Sequence, residues 1–179
     1  LDKEGNVYTA NLRAARQLVE YTLRGGGEEV YEPTFTFQGF RYVVVEGYPG
    51  VLSPESLTGI VVHSAMETTG RFETSNALLN QLQHNIQWGQ KGNFLDVPTD
   101  CPQRNERMGW SGDINVFSRT ATYVSNADQF LTRHMQAMRD VQTPAGRFTD
   151  VAPVGGGFGG VLWGTAGIVV PWETYLQYK

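Results

Sequence analysis

DCPQRNERMGWSGD, residues 100–113, is the stretch from which the rest of the chain is read. It packs Asp100, Glu106, Asp113, Arg104, Arg107 and Trp110 into fourteen residues between two helix-like segments. Pro102, Gly109 and Gly112 interrupt any regular helix or strand, so the polar side chains sit on a shaped loop, where a scaffold tends to present its reacting groups. An indole offers a flat apolar platform to the C–H face of a sugar ring, while carboxylates and a forked guanidinium bond its hydroxyls. This density of charge beside an indole fits carbohydrate chemistry.

Outward from the loop, the apolar period is helical from about Ser75 onward. Leu78, Leu79, Leu82 and Ile86 share one face; Ile114, Phe117, Ala121 and Val124 a second; Phe130, Leu131, His134, Met135 and Met138 a third. A last apolar segment, 161–178, contains Pro171 and is expected to start late or kink there. TPAGRFTDVAPVGGGFGG, 143–160, reads as a loop too flexible in composition to belong to a core. The first third instead reads as β. Residues 15–23, 29–38, 39–47 and 57–66 are rich in Val, Tyr, Phe and Thr, partly alternate, and are punctuated by Gly25-Gly26-Gly27, Gly39 and Pro49-Gly50. Pro33 marks an edge position or a bulge. The fold class expected is α+β in two parts.

At 179 residues, 40% hydrophobic and 18% charged, the chain is long enough to bury a core. A net charge of −4 with scattered basic residues gives no electrostatic footprint for nucleic acid. No run approaches the length of apolar residues that spans a membrane, so neither nucleic acid nor membrane is an expected partner. Cys101 is the single cysteine and leaves the compartment undetermined. The chain begins at Leu1 without an initiator Met and stops at Lys179 inside a helical pattern, so a piece of something longer is expected.

The sequence resembles the bacterial and fungal α-L-rhamnosidases, inverting glycoside hydrolases whose signature loop reads Asp-Cys-Pro-x-Arg-x-Glu-Arg-x-Gly-Trp-x-Gly-Asp. It matches that signature from Asp100 to Asp113, with Asn105 where many members carry Asp. The resemblance continues through GGGEEVYEPTFTFQGFRYVVVEG, 25–47, and VLWGTAGIVVPWETYLQY, 161–178. It implies that residues 1–68 are the C-terminal portion of an antiparallel β-sandwich. Residues 69–179 would be the N-terminal portion of a helical (α/α) toroid, with about four of its helices present. The implied activity is hydrolysis of terminal α-L-rhamnosyl residues with inversion. The partner would be a rhamnose-containing glycoside or polysaccharide, with no cofactor and no metal.

Inversion takes one protonated carboxyl to protonate the leaving oxygen and one ionised carboxylate to activate water on the far side. Glu106 suits the first task. Asp100 and Asp113 flank it with like charge and Trp110 is an apolar neighbour, both of which raise a carboxyl pKa, and the resemblance assigns it the general acid. The plainer reading is a solvated Glu paired with Arg104 or Arg107. Asp100, Arg104 and Asp113 suit sugar hydroxyls, and the resemblance implies that they bind the rhamnose ring. Their plainer roles are a helix N-cap for Asp113 and an Asx-type turn for Asp100.

Trp110 and Trp163 are candidate stacking platforms for a deoxy sugar. Thr165 stands where members of the family often carry Asp, so that part of the pocket departs from the pattern. Trp88 and Trp172 are expected in the core. Cys101 lacks a nearby base and reads as a packing residue; His63, His84 and His134 lack the short spacings of a metal site. The GGGFGG run is not followed by the Lys-Ser or Lys-Thr of a phosphate loop. In the resembling family the second carboxylate comes from the later half of the toroid, so this chain alone is expected not to turn over. The competing readings are a helical-toroid glycosidase acting on another deoxy or neutral sugar, and a non-catalytic carbohydrate-binding module, which needs the aromatics but no protonated acid.

Overall fold

A computed structural model describes residues Leu1–Lys179. They divide into two units, Leu1–Val61 with Pro102–Asn105, and Val62–Cys101 with Glu106–Lys179.

The first unit contains two single 3-10 turns, Ala10–Leu12 and Pro54–Ser56, and no β-ladder. The strands expected at 15–23, 29–38, 39–47 and 57–66 are therefore not realised as hydrogen-bonded strands. β-propensity expresses how well a side chain fits a pleated, half-buried surface, and here that surface is missing: Val30 is 90% exposed, and Phe35, Val43 and Val44 are exposed too. The glycine turn does form. Gly25 and Gly26 adopt positive φ, Glu29 accepts hydrogen bonds from the Tyr21 hydroxyl and from the Arg24 and Gly25 N–H groups, and Tyr21 stacks on Tyr31 at 4.4 Å. Gln17 donates to the carbonyls of both Gly39 and Gln103, fastening the 102–105 segment to this unit.

The second unit is helical, as its period requires. Helix α1 spans Ala77–Asn93, opened by the Asn76 side chain, which accepts from the Leu78 N–H at 2.9 Å. The short antiparallel pair β1 (Phe94–Leu95) and β2 (Val97–Pro98) follows. Next come β3 (Gly109–Trp110), α2 (Ser111–Val124), α3 (Asp128–Asp140) and β4 (Val151–Ala152), with β4 antiparallel to β3. Helices α4 (Val161–Gly164) and α5 (Ala166–Tyr178) end the chain. The core lies among α2, α3 and α5: Ile114, Ala121, Leu131, Met138, Ala166 and Val170 are buried, and Phe94 stacks on Phe130 at 4.3 Å. The Tyr178 hydroxyl accepts from the Ala127 N–H and donates to the Ser125 carbonyl, tying the end of α5 to the α2–α3 turn. No helix is long and apolar enough to cross a membrane.

Three expectations change. The break in the last apolar segment falls at Thr165, not Pro171. Thr165 Oγ1 turns back onto the Val161 carbonyl and accepts from Asn115, while α5 runs through Pro171, whose ring removes only one hydrogen bond of the helix. Trp88 and Trp172 are exposed rather than core, as are Leu78, Leu79 and Leu82 of α1: of the face expected to pack, only Ile86 is partly buried, and the buried residue of the helix is Gln90. The 143–160 segment is not wholly outside the core, since Thr149, Asp150, Val151 and Ala152 are all buried. Pairing with β3 satisfies its backbone, and that permits burial.

Candidate active site

Asp100 and Met108 close the neck of the motif loop. The Asp100 N–H donates to the Met108 carbonyl at 3.1 Å, and Asp100 Oδ1 accepts from the Met108 N–H at 3.0 Å. The carboxylate of Asp100 is thus held at the base of the loop instead of swinging free. Arg107, at φ +43°, takes the left-handed turn that sends the chain back into β3. Asp100, Cys101 and Glu106 are all half-buried, and a carboxylate oxygen of each acid and the Cys101 Sγ lie within 4.8 Å of one another. As donors, this trio is able to offer three atoms to a cation.

Asp113 sits in the first turn of α2. Its carboxyl is raised above the ordinary value by partial burial, by the negative charge of Asp100 and, to a smaller degree, by that of Glu106. The expected like-charge cluster is therefore present in the second unit, and it raises the Asp113 carboxyl. The helix begins at Ser111, with Trp110 at the N-cap position and no side-chain cap, so Asp113 is not the N-cap that its position suggested.

The two indoles differ in setting. Trp110 lies in β3, half-buried, opposite Val151 of β4, with its Nε1 buried and without a hydrogen-bond partner. Trp163, in α4, lies across the first turn of α2: a Cβ on Gly112 would stand 2.8 Å from the indole Nε1 and Cε2. Glycine at 112 is what allows this close approach of Trp163 to the first turn of α2. Asn115 of α2 donates to the Leu162 carbonyl at 2.6 Å and holds α4 in that position. Phe158 meets the Trp163 ring edge-on at 5.1 Å. Arg104 is half-buried and belongs to the 102–105 segment of the first unit.

Residues 67–179 match the model of the bacterial alpha-L-rhamnosidase 6 hairpin glycosidase domain, and residues 1–63 that of the bacterial alpha-L-rhamnosidase concanavalin-like domain. The chain belongs to the bacterial α-L-rhamnosidase family. It is 55% identical over 180 residues to an α-L-rhamnosidase of Streptomyces avermitilis, a match covering 99% of this chain and 18% of that protein. The crystal structure of the Streptomyces avermitilis α-L-rhamnosidase complexed with L-rhamnose aligns with a TM-score of 0.94 and 54% identity, over 98% of this chain and 17% of that one. The native α-L-rhamnosidase from Aspergillus terreus aligns with a TM-score of 0.91 and 43% identity, over 98% and 21%. The chain thus spans about a fifth of the length of these rhamnosidases.

Around the rhamnosidase motif, two further groups are buried, and one of them escapes sequence reading. Asp150, which the sequence places in a loop, is wholly buried between the motif strand and the glycine run; His134, on the apolar face of α3 as its spacing predicts, lies beneath Gly109, its Cε1 3.4 Å from where a Cβ on that glycine would be. The sequence signal for the first was the glycine run itself. A chain that must pass close to another group uses glycine just as a flexible one does. The two clefts lined by Glu67, Asp96 and Arg133, and by Arg71, Asn80 and His84, contain none of the motif residues.

Proposed function

We propose that this chain is part of an enzyme that hydrolyses terminal α-L-rhamnosyl residues of a rhamnose-containing glycoside or polysaccharide with inversion. In this reading, residues 1–68 stand at the C-terminal portion of a β-sandwich, on the concanavalin-like match of residues 1–63 and not on any ladder among them, and residues 69–179 open an (α/α) toroid. The observation that carries it is the grouping of Asp100 and Glu106 within 4.8 Å, with Asp113 close enough for both charges to raise its carboxyl. Three carboxylates gathered this closely beside an indole are the chemistry expected of a site for a polar ligand.

Glu106 is the general acid and gives its proton to the glycosidic oxygen as the bond to the anomeric carbon breaks. Water attacks from the opposite face, with its proton taken by a carboxylate outside these residues. Asp100 and Asp113 accept hydrogen bonds from ring hydroxyls, and Arg104 is assigned to the ring by the motif. Trp163, against the first turn of α2, and Trp110 supply the apolar surface for the C–H face and methyl group of the sugar. Asp100 does not serve as the base. An inverting pair stands about 6.5–9.5 Å apart to hold water between, more than the Asp100–Glu106 spacing allows. The 179 residues alone are accordingly expected to show no turnover.

The other stereochemical outcome is retention, in which the second carboxylate is a nucleophile about 5–5.5 Å from the acid. The anomer first released separates the two. The full-length protein, given an aryl α-L-rhamnoside and followed by proton NMR, should release β-L-rhamnose first. The α anomer first would establish retention. Release of glucose from the aryl glucoside instead would favour another toroid glycosidase, and sugar binding with no turnover would favour a binding module.

A further inference from the structure

We propose that Asp150 is a positioning residue for the sugar-binding wall, fixing the glycine run 155–160 so that Phe158 and Trp163 are held against the first turn of α2. The inference rests on the reading of Trp163 as a sugar platform. Asp150 is 0% exposed. Its Oδ2 accepts from the Gly159 N–H at 2.9 Å, and its backbone N–H donates to the Gly156 carbonyl at 2.9 Å. Its own carbonyl accepts from the N–H of Ser111, the first residue of α2, at 2.8 Å. One residue therefore joins the run to the helix that carries Asp113.

The run is moulded onto this side chain. Gly157, at φ +105°, passes so near that a Cβ there would stand 2.5 Å from Asp150 Oδ2. Downstream, a Cβ on Gly160 would meet Trp163 Cε3 at 2.5 Å and Phe158 Cε2 at 2.8 Å, so the end of the run is pressed onto the two rings. Asp150 Oδ1, by contrast, is buried without a hydrogen-bond partner. Burying a carboxylate that is only half satisfied is costly, and an apolar side chain of similar size would fill the space at less cost. What such a side chain would not do is hold Gly159. The hydrogen bond, not the filling of space, accounts for the residue.

The test uses the full-length protein carrying Asp150→Ala, Asp150→Asn or Gly157→Ala, each also paired with Trp163→Phe so that the Trp163 fluorescence is obtained by difference. Two properties are read: acrylamide quenching of Trp163, and kcat and KM on an aryl α-L-rhamnoside. Asp150→Ala should raise the quenching of Trp163 and raise KM about tenfold with kcat nearly kept. Asp150→Asn should restore both, because the amide oxygen still accepts from Gly159. Gly157→Ala, which pushes the run off Asp150, should behave like Asp150→Ala, and the double variant should be no worse than either single one. If Asp150→Ala does not fold, the Asn and Gly157 variants carry the same comparison. Unchanged quenching in Asp150→Ala or Gly157→Ala would overturn the proposal. So would equal loss of kcat in the Ala and Asn variants. Absence of rhamnoside cleavage in the parent protein would sink the functional reading instead, while the quenching data would still judge Asp150.

Discussion

The motif 100–113 and the segment 143–160 are joined strand to strand through β3 and β4, yet they treat charge in opposite ways. In the motif, Asp100, Glu106 and Asp113 are half-buried or exposed and close enough to one another that Asp113 is held above its ordinary value. In 143–160, Asp150 is fully buried and its Oδ2 accepts from one backbone amide, that of Gly159. Carboxylates that meet a ligand have to stay accessible and tolerate one another, whereas a carboxylate that holds a loop is spent on N–H groups. The first arrangement leaves a mark in the sequence as charge density; the second leaves only glycines.

The difference is broken most sharply at Glu106. Glu106→Gln in the full-length protein should lower turnover on natural rhamnosides by about a hundredfold to ten-thousandfold, the contribution of general acid–base assistance. Rhamnose binding should survive, and substrates with acidic leaving groups should recover part of the rate, since they need no proton. Steady-state kinetics across a leaving-group series checks it; a Gln variant with nearly full activity on alkyl rhamnosides would contradict the assignment.

His134, packed under the strand that joins the two segments, gives a test of stability. Its imidazole is buried with neither nitrogen bonded, and burial, aided by the charge of Arg133, lowers its pKa to about 4. A depressed value means that the neutral form is favoured in the folded state. The stability this contributes is present above pH 6.5 and is lost as the pH falls towards about 4, a loss of about 3 kcal/mol. Urea unfolding between pH 7 and 4 should show this slope, and His134→Phe should flatten it. An equal slope in both proteins would contradict it.

Alanine at Asp100, Arg104 or Asp113 should weaken rhamnose binding by about tenfold or more, the worth of a charged hydrogen bond of about 1.5–3 kcal/mol. Asp100→Ala should also loosen the loop, because it deletes the bond to the Met108 N–H, and calorimetric titration of Asp100→Asn separates the two effects. The smallest effect is expected from Asp113→Asn on stability. A raised carboxyl contributes stability below its unfolded value of 3.8 that is lost as pH rises through the folded value. Asn should therefore raise Tm slightly at pH 7 and make no difference below pH 3.8, as read by scanning calorimetry.

The helices were legible because a 3.6-residue period survives in any context: Ile114, Ala121 and Val124 of α2, and Leu131 and Met138 of α3, are buried as their spacing requires. For α1 the period located the helix but not its packed side, since periodicity says which residues share a face and nothing about what covers it. The first third was less legible. Val30 and Phe35 carry strand propensity, but a ladder also needs a partner strand, and none pairs with them in their unit. The three motif carboxylates were legible as a cluster, whereas Asp150 was not. A single Asp among glycines looks the same whether the glycines are loose or pressed against its side chain.

The most direct test is the crystal structure of the full-length protein with L-rhamnose. The account predicts a sugar whose hydroxyls lie within hydrogen-bonding distance of Asp100 and Asp113, with the Glu106 carboxyl at the anomeric oxygen and the Trp163 indole against the C–H face. An ordered rhamnose elsewhere, with Asp100, Glu106 and Asp113 touching only solvent, would contradict it.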